Sequence, residues 1–133
     1  MHIRWFIFLG SLLAALAVGL GALGAHALKS QLTATQLETF HTAVHYQMLH
    51  AIGLILLGLL RGNQRNRLLD LAGGAMLLGI VLFSGCLFAW LATGSRFLMF
   101  LVPVGGTSFI VGWLALAAGA VVGRQRPADS AGK

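Results

Sequence analysis

Histidines are the side chains of this chain most able to do chemistry, and three of them lie in one short segment. His41, His45 and His50 follow Glu38 at helical spacing. At 100° per residue, Glu38, His41 and His45 fall within about 60° of one another on a helical wheel. Imidazole and carboxylate groups on one helical face can bind a metal, relay protons or form hydrogen bonds between helices.

Three hypotheses compete for these histidines. The first is structural: the imidazoles and Tyr46 form hydrogen bonds across helices, and we favour it because polar side chains commonly do so in membranes. The second is a metal or haem site, but a lone His-x-x-x-His pattern lacks the glutamate of the zinc protease motif. The third is a polar pathway for protons or a small solute, with His45 and His50 as relay groups. We therefore predict no metal and no cofactor.

The rest of the sequence contains no pattern typical of an enzyme. It has no Ser-His-Asp order, no paired carboxylates, no phosphate-binding loop and no dinucleotide fingerprint. Cys86 is the only cysteine, so neither a disulfide within the chain nor a cysteine-based metal motif can form. We therefore predict no catalytic residues and no enzymatic activity.

Four apolar stretches must position the histidines. Hydrophobic residues make up 58% of the chain and charged residues only 9%, whereas a soluble domain carries roughly a quarter charged residues. Each stretch provides about the 20 residues that a helix needs to cross the hydrocarbon core of a bilayer. The stretches cover residues 5–25, 41–60, 71–92 and 103–122. The sequence predicts an all-α integral membrane bundle of four transmembrane helices, forming a single domain over residues 1–123.

Local signals predict where two of the helices begin. Thr35-x-x-Glu38 matches a capping box, so an amphipathic extension is expected to begin near Gln36 and to continue into the second span. Its polar side is expected to face other helices. Pro103 suits the first turn of the fourth span, with residues 97–102 as an interfacial lead-in. A helix that instead began at residue 97 would have to be kinked at Pro103.

Basic residues predict the orientation in the membrane. With four spans, both termini share a side with the loop at residues 61–70. That side holds seven lysines and arginines: Arg4, Arg61, Arg65, Arg67, Arg124, Arg126 and Lys133. The other side holds only Lys29 and Arg96. The positive-inside rule then predicts a multi-pass protein of the bacterial inner membrane with both termini in the cytoplasm and a basic, flexible tail at residues 124–133.

Two other interpretations of the charges and the first span are less favoured. The net charge of +6 could suggest nucleic acid, but the basic residues flank apolar segments and form no aromatic-interleaved surface, so we predict no nucleic-acid partner. A secretory signal peptide would explain the first span, with cleavage near Ala25-His26-Ala27. That apolar stretch is longer than the roughly 7–15 residues of a usual signal core.

Small residues at four-residue spacing predict close helix packing. Gly21 lies between Ala17 and Ala25 on one face of the first span, and Gly119 lies between Ala115 and Gly123 on one face of the fourth. Such faces let helix backbones approach closely in lipid. We favour packing within the monomer over a membrane-protein partner or a homo-oligomer.

Depth distinguishes His50 from the other histidines. If hydrocarbon begins near His41, then His45 lies about 6 Å and His50 about 13 Å inside it. An ionisable residue near the middle of a membrane usually faces the bundle interior, so we expect a neutral imidazole with a polar partner on another helix. Three candidates for that partner are Ser84, Thr107 and Ser108, and Ser11 is less favoured because it lies nearer the cytoplasmic end. His26 is expected to approach His45 across the bundle.

Four motifs resemble those of a known family. The segment GALGAHAL at residues 21–28 resembles the glycine-alanine-histidine signature of the YgdD/YwdK-like family of small bacterial membrane proteins, whose eukaryotic relatives are called transmembrane-protein-256-like. Similar matches follow in order: YQMLHA at residues 46–51, SGCLF at 84–88, and PVGG at 103–106 with Gly112-Trp113. The resemblance implies a four-helix inner-membrane protein of unknown function and brings no known reaction, cofactor or substrate.

The motifs select the candidate functional residues. Four of them are polar positions of the motifs, and the fifth is His45, which lies between His41 and His50. The full set is His26, His45, Tyr46, Gln47 and His50. Cys86 and Phe88 depart from the family pattern, which has serine and tyrosine there. The sequence favours a non-enzymatic packing, assembly or interaction protein embedded in the bilayer. The alternative is a proton, ion or small-solute conduit built on the histidines, and a metal or haem site is a lesser alternative.

Overall fold

A computed structural model describes residues 3–62 and 66–122, and within them the chain is helical and contains no strand. The elements in chain order are α1 (Ile3–His26), a 3₁₀ turn (Leu28–Ser30), α2 (Ala34–Arg61), α3 (Arg67–Gly79), a π-helical segment (Ile80–Gly85), α4 (Cys86–Thr93) and α5 (Arg96–Val122). The π-helical segment joins α3 and α4 into one span. Four stretches are long and apolar enough to cross a membrane: Arg4–His26, Ala34–Arg61, Arg67–Thr93 and Arg96–Val122. The predicted all-α membrane bundle is confirmed.

The start of α2 corrects one predicted boundary. Thr33 adopts an extended conformation and caps the helix. The capping box is formed by Thr33 and Gln36, whereas the sequence predicted one formed by Thr35 and Glu38. The Thr33 amide donates to Gln36 Oε1 over 3.0 Å, and the Gln36 amide donates to Thr33 Oγ1 over 3.3 Å. Thr35 cannot cap because it already lies in the first turn, where its carbonyl accepts from the Thr39 hydroxyl. The extension does continue unbroken into the second span.

The fourth span also begins earlier than expected. Gly94 ends α4 with φ at +70°, a left-handed conformation that suits glycine. The chain therefore reverses within two residues, and α5 begins at Arg96. Pro103 lies inside α5 instead of at its first turn. Transmembrane helices tolerate such a proline because local adjustments and neighbouring groups satisfy the freed backbone atoms.

The helices pack as two antiparallel pairs, α1 with α2 and the third span with α5, and α2 lies against the third span. At one end of the bundle, Arg61 and Asp70 form an ion pair of 2.8 Å, and the Asn66 side chain donates to the Gly119 carbonyl over 2.9 Å. The core between the helices contains the following buried residues: Phe6, Leu54, Leu57, Ala72, Met76, Ile80, Phe109 and Ala115.

The predicted small-residue faces lie partly inside this packing. Ala17, Ala115 and Gly119 are buried between helices of the chain, as packing within the monomer requires, whereas Ala25 is exposed. Gly123 falls outside the described residues. The closest backbone approach is at Gly105, where a Cβ atom would lie 2.5 Å from the amide nitrogen of Phe83 in the π-helical segment. Only glycine allows α5 to lie so close to that segment.

Candidate functional site

His50 lies at the centre of an aromatic cluster between three spans. Its imidazole is 2% exposed and stacks on the Phe109 ring, with 3.4 Å between ring centroids and 11° between planes. The Tyr46 ring lies 6.0 Å from the imidazole and also 6.0 Å from the Phe109 ring. The Tyr46 ring also lies 4.6 Å from that of Phe83 in the π-helical segment. Residues from α2, the third span and α5 therefore surround one buried imidazole.

Both nitrogens of this imidazole have hydrogen-bond partners. Nδ1 lies 2.7 Å from the Tyr46 carbonyl oxygen, and the Trp113 indole N–H donates to Nε2 over 3.1 Å. A carbonyl can only accept and an indole N–H can only donate, so Nδ1 carries the hydrogen and Nε2 does not. The partners therefore select the neutral imidazole with its proton on Nδ1.

The expected partner on another helix exists, but it is none of the predicted hydroxyls. Thr107 donates to the Pro103 carbonyl and Ser108 donates to the Ala75 carbonyl. Ser84 is fully buried, and its hydroxyl has no partner among the described residues. Ser11 is exposed. The sequence signal for Trp113 was its place one turn after Phe109 on the same face of α5.

Gln47 connects the same motif to the remaining span. Its side chain is 3% exposed, and Nε2 donates to the Leu13 carbonyl of α1 over 2.9 Å. Three residues later, His50 accepts from Trp113 of α5, while Tyr46 contacts Phe83 of the third span. One turn of α2 thus contacts all three other spans, and the motif acts as a junction of the bundle.

Segments next to or within two of the other motifs lie beside this junction. Phe83 immediately precedes the SGCLF segment, and its ring lies 5.7 Å from Phe109. The glycine of the PVGG segment, Gly105, brings the α5 backbone against Phe83. Phe88, which stands where the family pattern has tyrosine, lies 5.4 Å from Phe40 at the start of the second span. The cluster is therefore mostly aromatic and tightly packed.

The outer histidines lie on the opposite side of α2. Glu38, His41 and His45 are exposed. Only the edge of this side borders another helix, since a Cβ atom at Gly24 of α1 would lie 3.4 Å from His41 Cε1. The expectation that the polar side faces other helices is therefore wrong for Glu38 and His45. Packing selects the face that carries Phe40 and Gln47, about 140° away on the wheel, because that face is continuous with the apolar residues further along α2. Ring contacts remain: His45 lies 6.0 Å from Tyr46.

The expected approach of His26 to His45 is not observed. A Cβ atom at Gly24 would lie 2.7 Å from the Phe40 ring, and one at Gly10 would lie 2.7 Å from the Ala51 carbonyl. This antiparallel register places His26 nearest the start of α2, roughly 10 Å or more along the axis from His45. Both histidines are exposed, so the bundle does not bring these two candidates together.

The described part of the chain contains no group of three histidine, cysteine, aspartate or glutamate side chains able to hold a metal ion. Asp70 stands in the first turn of α3, where its charge suits the helix N-terminus, and pairs with Arg61. Cys86 is buried. An apolar groove of about 720 Å³ runs between α3 and α5, and its lining, which includes Gly74, Leu78 and Val104, contains none of the histidines.

Comparison with known proteins gives these features a family. The family described as "Protein of unknown function (DUF423)" matches residues 20–106. A UPF0382 membrane protein of Staphylococcus saprophyticus is 42% identical over 114 residues, which cover 86% of this chain and 94% of the relative. The UPF0382 membrane protein YwdK of Bacillus subtilis is 41% identical over 117 residues, covering 87% and 95%. A UPF0382 membrane protein of Haemophilus influenzae is 40% identical over 104 residues, covering 77% and 82%.

No solved structure matches the chain. The resemblance seen in the motifs is confirmed by these relatives, YwdK among them. With the matched residues covering most of the sequence, this chain belongs to the DUF423/UPF0382 family of membrane proteins of unknown function.

Proposed function

We propose that this protein is a non-enzymatic interaction protein of the bacterial inner membrane, which binds a membrane-protein partner through one face of α2. The observation that carries the proposal is the exposure of three ionisable side chains, Glu38, His41 and His45, on the same side of the helix. We call this side the α2 stripe. It continues toward the other end of the helix through four exposed apolar residues: Leu49, Ile52, Leu56 and Leu59.

A protein partner explains this exposure better than lipid does. The stripe begins at the membrane surface, and His45 lies about 6 Å inside the hydrocarbon if His41 marks its boundary. Polar and ionisable groups at such depths are costly in contact with lipid and usually pair with other polar groups. By contrast, the exposed face of α5 carries large apolar side chains such as Phe100, Ile110 and Leu114, which lipid solvates well. The two faces therefore suit different neighbours.

The buried polar residues support a structural role inside the bundle. Gln47 forms a hydrogen bond with the Leu13 carbonyl, and His50 forms one with the Trp113 indole. A proton relay needs an imidazole that can exchange a proton with a path on each side. His50 instead packs against Phe109 with both nitrogens bonded, so the conduit hypothesis has less support than assembly.

We propose the orientation in which both termini lie in the cytoplasm. Among the described basic residues, Arg4, Arg61 and Arg67 lie at one end of the bundle, whereas Lys29 and Arg96 lie at the other. The positive-inside rule assigns the first end to the cytoplasm. A cytoplasm-specific reporter fused after Lys133 is expected to be active, and activity of a periplasm-specific reporter there would contradict this orientation.

The interaction can be tested in cells with a photo-crosslinking amino acid. We would place it at Ile52 or Leu56 of the α2 stripe and, as matched controls, at Ile110 or Leu114 of α5. Protein adducts are expected at the stripe positions and largely absent from α5, since the control positions are at least as exposed. Adducts that are equal on both helices, or absent from the stripe, would contradict the proposed function.

A further inference from the structure

We propose that the partner is a second copy of this chain and that two α2 stripes pair in a parallel, two-fold symmetric dimer. This inference rests on the proposed function, because it names the occupant of the face described above. Three features of the stripe carry it: its charges, its spacing and its length.

The charges of the stripe are self-complementary. Glu38 can be anionic, and His41 and His45 can be cationic or neutral donors and acceptors on the same side of the helix. The positive-inside rule gives every copy of this chain the proposed orientation, so two copies of α2 run parallel. A two-fold axis along the stripe then brings Glu38 of each copy beside His41 of the other, and the same contact forms twice.

The spacing of the stripe matches that of a helix-pairing seam. Its exposed residues are separated by three or four positions throughout. Such a pattern keeps one helical face against a partner at a crossing angle of about 20°. From Glu38 to Leu59 the stripe extends over roughly 30 Å, the thickness of the hydrocarbon core. Polar pairing near the surface would therefore continue directly into apolar packing across the membrane.

Charge also argues against an anionic lipid headgroup as the occupant. A headgroup phosphate would suit His41 and His45 but would be repelled by Glu38, which lies one turn away on the same side. A second α2 helix supplies both an acid and imidazoles, so each group meets a complementary one.

Disulfide crosslinking in native membranes tests the dimer. The background is Cys86→Ser, which removes the only native thiol. Single cysteines replace Leu49, Ile52 or Leu56 in the stripe, and the controls are Ile110→Cys and Leu114→Cys in α5. Oxidation is expected to give a covalent dimer of this chain at the stripe positions and little at α5. No dimer from the stripe, or an equal yield from α5, would overturn the inference.

A charge exchange tests the recognition itself. In the Ile52→Cys background, Glu38→Gln is expected to lower the dimer yield by about threefold, since it removes the acid from both contacts. Exchanging the partners with Glu38→His and His41→Glu is expected to restore the yield. Equal yields in all three proteins would contradict the proposed pairing.

The two experiments separate this inference from the function on which it rests. Photo-adducts at the stripe with a different protein, without any disulfide dimer, would refute the second copy as occupant and keep the interaction function. The absence of both photo-adducts and disulfide dimers would refute both proposals.

Discussion

Histidine side chains on the two sides of α2 have opposite environments. His50 is buried, with both ring nitrogens bonded and its face against Phe109. His45, five residues earlier, is exposed, and its ring lies 6.0 Å from that of Tyr46. Five residues turn a helix by about 140°, so a short distance along the chain separates a buried imidazole from an exposed one. In a bundle of this kind, the direction of a polar residue decides its role as much as its depth.

The two sides of α2 should also differ in what they contribute, the inner side to the stability of the bundle and the outer side to the binding of a partner. On the inner side, Gln47 and His50 satisfy their hydrogen bonds with α1 and α5, so their loss should weaken the bundle. On the outer side, Glu38, His41 and His45 form no side-chain hydrogen bonds with the described parts of other helices. Their loss should leave the monomer intact and affect only what binds to it. The predictions below test this division, beginning with the largest effect.

The inner junction should be most sensitive at its closest backbone contact. Gly105→Ala would place a Cβ atom 2.5 Å from the Phe83 amide nitrogen and 2.8 Å from the Leu82 carbonyl carbon. Because these are backbone atoms, α5 must move away, and we expect a loss of about 3 kcal/mol in stability. Thermal unfolding in detergent measures it.

The adjacent glycine provides a matched control. A Cβ atom at Gly106 would approach the Phe83 ring no closer than 3.9 Å, so Gly106→Ala should change stability by less than about 0.5 kcal/mol. Equal destabilisation by the two substitutions would show that the close approach of α5 to the π-helical segment is not what holds the junction.

His50→Leu should have the next largest effect. The span becomes more apolar, so membrane insertion is retained. The Trp113 N–H loses its acceptor inside the bundle, and the stack on Phe109 is altered. We expect a loss of about 2 kcal/mol, measured by thermal unfolding of the purified variant in detergent. Unchanged stability would contradict the structural role of His50. If cells carrying the stable variant also showed the phenotype of a strain that lacks this protein, the result would favour the proton-relay hypothesis.

Trp113→Phe isolates the hydrogen bond from the ring packing. The phenyl ring keeps most of the apolar contact, while His50 Nε2 loses its donor, so we expect a loss of about 1 kcal/mol. Combining it with His50→Leu gives a double-mutant cycle, whose coupling energy should lie between about 0.6 and 1.7 kcal/mol. Additive effects would exclude an energetic link between the two side chains.

The tautomer of His50 gives an independent check of the same contact. Nitrogen-15 NMR of histidine-labelled protein should show a protonated Nδ1 and an unprotonated Nε2 for His50. In Trp113→Phe the Nε2 resonance should shift, because its donor is gone. A proton on Nε2 in the wild-type protein would reverse the assignment of both hydrogen bonds.

His45→Leu should have the smallest effect on the monomer. The side chain is exposed and has no hydrogen-bond partner among the described residues, so the free energy of unfolding should change by less than about 0.5 kcal/mol. The stripe-dependent disulfide yield should nevertheless fall. A loss of monomer stability similar to that of His50→Leu would remove the distinction between the two sides of α2.

The sequence by itself determined the class of this protein and the number of its spans. Hydrophobic length is a local property, and each apolar stretch can be compared with the bilayer independently of the others. Burial of His50 with a partner on another helix also followed from sequence, since an unpaired imidazole in lipid is costly. The family motifs pointed to Tyr46 and Gln47 before their contacts were known.

Only the tertiary structure decided which groups meet. The partner of His50 is Trp113 and not a serine or threonine, because the rotation and register of α5 place the indole there. The Thr107 and Ser108 hydroxyls of the same helix instead donate to backbone carbonyls. The outward direction of His45 depends in the same way on which face of α2 the other helices cover. Rotation and register arise from contacts between helices, such as the close approach of Gly105 to the Phe83 backbone. The periodicity of a single helix does not contain this information.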